Sequence, residues 1–108
     1  MKSSKEILMG LPSKVNPAVL QGLSTVFHFI IKNDSGTDES LTISVEEGKC
    51  SAEEGLTGEA KCVVTASDEN LAKLLRGELN PMMALLTGKL KISNQAEMLR
   101  YAKIFGLM

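Results

Sequence analysis

Leu41-Thr42-Ile43-Ser44-Val45-Glu46 alternates without a break, odd positions apolar and even positions polar. A period of two sends successive side chains to opposite faces, so this stretch predicts a strand in a sheet with one dry and one wet face. Upstream, beyond the turn-forming cluster Asn33-Asp34-Ser35-Gly36-Thr37-Asp38, residues 25–31 read as a β-branched and aromatic strand. Downstream, Glu47-Gly48 predicts a turn and residues 49–53 a short third strand. Past Gly55 and Gly58, residues 60–66 alternate again, with Ala60, Cys62, Val64 and Ala66 on the apolar face. Consecutive strands joined by short turns predict an antiparallel meander, its Thr42, Ser44 and Glu46 side facing water.

Outward from this sheet the period changes. Ser4 is expected to cap a helix over residues 5–10, and Asn16-Pro17 to start a brief one over 17–23, because Asn suits the cap and Pro the first helical position. Ser67 or Asp68 caps a helix with acids at its start and a stripe of Leu71, Leu74 and Leu75, closed by Arg76 and Gly77. Asn80-Pro81 opens another short helix, residues 88–92 alternate as a fifth strand, and Asn94 with Glu97 resembles a capping box for a final helix. That helix carries the stripe Met98, Tyr101, Ala102, Phe105 and Met108. Segregated strands and helices predict an α+β fold: a mainly antiparallel sheet of about five strands with helices packed on one face.

The chain of 108 residues is one domain, 1–108, and its 44% hydrophobic and 23% charged content is that of an ordinary folded domain. Its longest apolar run, residues 82–86, is far shorter than the ~20 residues of a spanning helix. Residues 1–6 lack the apolar stretch of a secretion signal. A net charge of −1, no basic stripe and only four aromatic residues argue against nucleic acid as a partner. Cys50 and Cys62 with the single His28 do not complete a four-ligand zinc site unless carboxylates help, so no metal and no cofactor are expected. Two cysteines in a leaderless chain read as free thiols in a reducing compartment.

The residues that carry catalysis elsewhere are sparse. His28 lies inside a strand with no nucleophile signature to serve, and reads as a half-exposed strand residue rather than a general base. Gly55-Leu56-Thr57-Gly58 lacks the spacing of a phosphate loop and reads as a turn. Residues 34–38 have two carboxylates and a Gly but not the oxygen count of a calcium loop. Cys50 has Lys49 beside it and nothing more to lower its pKa. No enzyme is read from this set. What remains is apolar: small residues on the fourth strand beneath a Met- and Leu-rich helical layer, which either leave a cavity or let a helix pack close.

The second half of the chain resembles a known family. Asp68-Glu69-Asn70-Leu71, Leu74-Leu75-Arg76-Gly77-Glu78-Leu79-Asn80-Pro81, Ala84 and Gly88-Lys89-Leu90-Lys91-Ile92 look like the sterol-carrier-protein type 2 domain, the non-specific lipid-transfer proteins. Phe27 and Phe29 match that family's opening strand, and residues 41–45 with Gly48-Lys49 its second strand and turn. The resemblance runs from about Asn16 to Phe105 and implies a five-stranded sheet with helices on one face, enclosing an apolar tunnel. It implies lipid-binding residues on the first two strands (Phe27, Phe29, Leu41, Ile43), the short helix (Met82, Leu85, Leu86) and the last helix (Met98, Ala102, Phe105). Leu85 and Leu86 stand where relatives often carry aromatic residues, and Thr87 where a polar residue contacts a head group in some. The sequence departs from the family at Asn94-Gln95, where Gly-Asp is usual, and at Leu41, which replaces a larger aromatic.

The resemblance therefore implies intracellular binding or transfer of fatty acids, fatty acyl groups or sterol-like ligands, with transient membrane contact. A small apolar ligand is the expected partner, and no cofactor is needed. The alternative is a non-enzymatic interaction or dimerisation module that keeps the fold without a lipid pocket and meets a protein partner or a second copy. No peroxisomal ending of the Ser-Lys-Leu kind is present, so a stand-alone cytoplasmic protein is expected. Lys89 and Lys91 share one strand face, which reads as solvated rather than as a lipid-docking patch.

Overall fold

The computed structural model describes residues 3–33 and 36–104, with residues 102 and 103 by backbone alone. Five strands, β1 (Thr25–Lys32), β2 (Glu39–Glu46), β3 (Lys49–Glu54), β4 (Cys62–Ser67) and β5 (Leu90–Ile92), form one sheet in the order β3-β2-β1-β4-β5. The first three are the antiparallel meander that the alternation predicts. Phe27 pairs with Ile43 and Phe29 with Leu41 across β1 and β2, and the register keeps the apolar sets on one face. The β2–β3 turn is two residues long, with Glu47 at φ 51° and Gly48 at φ 76°. Both lie in the left-handed region that a tight hairpin of this twist requires.

The fourth strand departs from the meander. It returns to the centre and lies parallel to β1, with Phe27 opposite Cys62 and Ile31 opposite Ala66. Its predecessor β3 is three strands away, about 14 Å at ~4.8 Å per spacing. Residues 55–61 can stretch roughly 23 Å and cross the open face instead of turning back. The crossing is pinned at both ends and in the middle. Gly55 N–H donates to the Ser40 carbonyl at 2.8 Å and Lys61 N–H to the Val26 carbonyl at 2.9 Å. Thr42 Oγ1 donates to the Gly55 carbonyl at 2.8 Å and accepts from Thr57 N–H at 2.9 Å. Thr42 is therefore buried rather than facing water, while Ser44 is half-buried and Glu46 exposed.

Among the described residues, four helices and a short 3-10 turn accompany the sheet. Helix α1 (Ser4–Lys14) is capped by Ser3, whose Oγ accepts from Glu6 N–H at 3.3 Å, and runs past Gly10 and Pro12. The expected end at Gly10 is overridden by a stripe, Ser4, Leu8, Leu11 and Val15, that stays buried against β3, β2 and the next helix. The second start signal yields only a 3-10 turn, Pro17–Leu20, with Asn16 Oδ1 accepting from Ala18 N–H at 3.0 Å. Helix α2 (Asp68–Leu75) is capped by Ser67, and α3 (Pro81–Leu86) by Asn80, whose Oδ1 takes Met82 N–H at 2.9 Å. Helix α4 (Gln95–Ile104) has Asn94 Oδ1 on Glu97 N–H at 3.1 Å. Glu97 uses its own carboxylate differently from a capping box, taking the Thr25 hydroxyl at 2.6 Å and tying α4 to the start of β1.

At the opposite end of the layer, Asp68 Oδ1 accepts from Ser4 N–H at 3.0 Å and from Ser4 Oγ at 2.5 Å. One carboxylate thus sits at the N-termini of both α1 and α2, where two sets of unpaired backbone donors favour negative charge. The core is a single apolar cluster between this helical layer and the odd-numbered face of β1 and β2.

Candidate functional site

The floor of the candidate site follows from strand alternation. Phe27, Phe29, Leu41 and Ile43 are neighbours on the helical side of β1 and β2, and all are buried. Cys62, Val64 and Ala66 continue that floor on β4, with Leu90 on β5 at its edge. The roof above β4 is α4, which contributes buried Met98 and Tyr101. Phe27 is the junction: its ring stacks on Phe29 at a centroid distance of 6.1 Å and meets the Tyr101 ring edge-on at 5.5 Å. Edge-on contact sets the positive rim of one ring on the negative face of the other.

Its electrostatics are those of an apolar compartment. Burial pushes the Tyr101 hydroxyl above its ordinary pKa, helped by Glu97 and opposed by Arg100 and a Ser24 backbone hydrogen bond. Burial likewise raises the Cys62 thiol, whose Sγ lies 3.5 Å from the Asn94 carbonyl, and burial alone raises Cys50. Both cysteines are free thiols. They stand on β3 and β4 with two strands between, about 14 Å of sheet, beyond the reach of a disulfide. Thiols held protonated are poor nucleophiles. His28 lies on the other face of the sheet, its Nε2 2.9 Å from the Thr57 carbonyl in the crossing loop. Among the described residues, no three His, Cys, Asp or Glu side chains come together as a metal site would need.

The ten residues expected to contact lipid separate into groups. Phe27, Phe29, Leu41, Ile43 and Met98 belong to the one cluster. Leu85 is half-buried on α3. Met82 and Leu86 on the same helix are 44% and 79% exposed, because α3 turns Pro81 and Ala84 inward instead. The Ala102 side chain and Phe105 lie outside the described residues. Thr87 Oγ1 donates to the Met83 carbonyl at 2.8 Å, closing the end of α3. Tyr101 is the member the expected set lacks; its place three positions after Met98 puts it on the same helix stripe. A separate surface groove of about 480 Å³ lies at the other sheet edge, between Pro12, Val15, Pro17 and Leu20 and the Glu47–Cys50 hairpin.

Comparison with known proteins follows the same lines. The model of the SCP-2 sterol transfer family matches residues 5–104. Sterol carrier protein 2 of Gallus gallus is 38% identical over 74 residues, 68% of this chain and 14% of the relative, and that of Homo sapiens is 33% identical over 69 residues, 63% and 13%. The chain thus spans about one seventh of the length of these curated relatives. Among solved structures, the sterol carrier protein domain 2 of Helicoverpa armigera superposes with a TM-score of 0.71 at 25% identity, covering 83% of this chain and 72% of that one. Palmitated SCP2L2 of Aedes aegypti gives a TM-score of 0.74 at 21% identity, covering 94% and 90%, which is a likeness of fold. The same fold makes up 15% of the sec-alkylsulfatase Pisa1 from Pseudomonas sp., with a TM-score of 0.74 at 16% identity over 91% of this chain.

Proposed function

The chain belongs to the SCP-2 sterol transfer family, and from that premise we propose that it binds fatty acids, fatty acyl groups or comparable apolar lipids and carries them inside the cell. The observation behind this reading is the continuous apolar floor of Phe27, Phe29, Leu41 and Ile43 under a separate roof, α4 with Met98. The ligand lies between floor and roof, parting them along a tunnel, with Leu85 beside it. Met82 and Leu86, turned outward, mark the rim rather than the interior.

Burial supplies the affinity. About fourteen methylenes at ~0.8 kcal/mol contribute roughly 11 kcal/mol. Lost translational and rotational freedom costs at least ~4 kcal/mol, so a micromolar Kd results before the floor and roof are parted. The proposed role is carriage rather than reaction and calls for no cofactor.

Titration of the delipidated protein with a fluorescent fatty acid, followed by competition with unlabelled lipids, tests this reading. Saturable, competed binding at one site per chain is the expected result, and Leu85→Asp should abolish it. No binding by a folded protein would remove the carrier function. That result would favour a second reading, an interaction or dimerisation module with a filled core, for which the complete burial of Phe27, Leu41 and Ile43 speaks.

A further inference from the structure

Strand β3 ends the sheet on one side and pairs with β2 alone. The two-residue turn makes Glu46 and Lys49 the closing hydrogen-bonded pair of the hairpin. Bonded and non-bonded pairs alternate from there, so Lys49, Ser51 and Glu53 direct their backbone groups to β2. The bond from Gly55 N–H to the Ser40 carbonyl, at 2.8 Å, keeps the same phase. Cys50 and Ala52 therefore turn their N–H and C=O groups to the open edge, and among the described residues no other strand takes them.

Charges on an edge strand normally keep copies apart, but the charges on this one complement each other. Lys49 and Glu53 are exposed on the sheet face away from the helices, opposite Glu46 and Thr42 of β2. Neither forms an ion pair among the described residues. A second β3 meets this edge in phase only where the outward groups of Cys50 and Ala52 find outward groups. With Ser51 on a two-fold axis, Cys50 faces Ala52 of the second copy and Lys49 faces its Glu53, twice by symmetry. An axis through Ala52 would instead set Ser51 against Glu53, and one through Glu53 would set that acid against itself. The helical layers of both copies then share one side of the joined sheet. Helix α1 packs on β3, and its Lys5 reaches Glu54 at 2.9 Å and Glu39 at 3.5 Å. Met9, one turn after Lys5 on the same flank of α1, is 40% exposed.

We propose that the chain forms a two-fold dimer by antiparallel pairing of two β3 edges, with Ser51 on the axis, Lys49 of each copy against Glu53 of the other, and Met9 of the two α1 helices meeting above the seam. Main-chain bonds through Cys50 and Ala52 join the strands, and the ion pairs fix the register. A seam one six-residue strand long is at the small end of specific interfaces, so the dimer dissociates on dilution. The inference goes beyond the carrier reading and does not rest on it. The α4 roof lies over β4, with β1 and β2 between it and the seam, and pairing leaves it uncovered.

Sedimentation velocity of the full chain over a concentration series tests it. The wild type should pass from monomer to dimer as concentration rises. Lys49→Glu and Glu53→Lys each oppose like charges twice per dimer and should weaken association about tenfold. An equimolar mixture of the two variants should regain it, because one copy then presents only acids on this edge and the other only lysines. A covalent trap reads the register directly. Ser51 and its copy form a non-hydrogen-bonded pair with Cα atoms about 4.5 Å apart, within disulfide reach. Mild oxidation of Ser51→Cys, in a Cys50→Ala chain, should therefore give a covalent dimer. Lys49→Cys in the same background should not, since its copies lie ~13 Å apart along the seam. A monomer at every concentration would overturn the proposal, as would a dimer indifferent to both charge reversals or equal cross-linking at the two positions. Fatty-acid titration of Lys49→Glu should match wild type and separates the two readings. Dimer without fatty-acid binding keeps the seam and removes the carrier; fatty-acid binding by a strictly monomeric chain does the reverse.

Discussion

Truncating Met98 separates a ligand site under α4 from one elsewhere. Met98 is 3% exposed, in the layer above the sheet. Met98→Ala removes three heavy atoms beyond Cβ, and at ~0.8 kcal/mol for each the transfer loss is about 2.4 kcal/mol. The residual cavity adds to this, within the range of about 2–5 kcal/mol known for such truncations. A loss of about 3 kcal/mol lowers Tm by roughly 12–24 °C in a domain of this size, which a typical stability of ~5–15 kcal/mol tolerates. The vacated space lies where the fatty acyl chain is placed, so ligand refills it without having to displace Met98. The fluorescent fatty acid should then bind about tenfold tighter, equivalent to ~1.4 kcal/mol. Leu20→Ala is the matched control. Leu20 is 1% exposed and floors the separate groove near the β2–β3 hairpin, so its truncation should destabilise comparably and leave the Kd unchanged. Urea melts with and without ligand, read beside the titrations, supply every quantity. Tighter binding in Leu20→Ala with none in Met98→Ala would refute the placement and move the ligand to the groove.

Thr42→Val keeps the shape but removes the hydroxyl that holds the crossing loop, leaving Thr57 N–H without its partner. A loss of about 1–3 kcal/mol is expected, with faster hydrogen exchange at Thr57 and little change on β2. Asp68→Ala strands the buried Ser4 hydroxyl and its N–H, and should cost about 2–3 kcal/mol in urea unfolding with α1 exchanging first. The pH dependence follows from groups whose pKa is raised in the fold. Cys50 and Cys62 lie above their ordinary 9.0 and Tyr101 above its ordinary 10.0. The folded state therefore holds protons that the unfolded chain has released, and stability is complete below those ordinary values and falls as pH rises through the raised ones. Urea midpoints measured from neutral to strongly alkaline pH should decline on the alkaline side, and less steeply in Cys62→Ala.

Much of this architecture is legible in local patterns, for reasons specific to each element. The alternation in residues 41–46 faces one way because one face is dry, and the caps at Asn16, Ser67, Asn80 and Asn94 announce helix starts because backbone donors need acceptors there. What the pattern does not encode is a partner. Alternation in residues 60–66 marks the apolar face of β4 but is the same for a strand beside β3 and one beside β1, so its parallel pairing is not visible. Thr42 reads as solvated for the same reason: the loop that covers it is remote from its own strand. Gly10 reads as the end of the first helix, yet tertiary burial of Leu8, Leu11 and Val15 carries α1 past it to Lys14. In the site, floor residues are legible from strand period. Met82 and Leu86 are not, because in a six-residue helix made almost wholly of apolar side chains only packing decides which ones turn inward.

The parallel pairing of β1 with β4 also shapes the order of assembly. The β1–β2–β3 meander closes through short local turns, whereas Phe27 reaches its β4 partner Cys62 only after the chain has travelled out through both hairpins and back. Non-local closures of this kind come later and more slowly than hairpins. Helix α4, which covers Phe27 with Tyr101, comes later still in the chain, after two helices and the fifth strand. During folding the floor of Phe27, Phe29, Leu41 and Ile43 is therefore made before its cover, and for that interval an apolar chain and a neighbouring nascent protein compete for the same bare sheet.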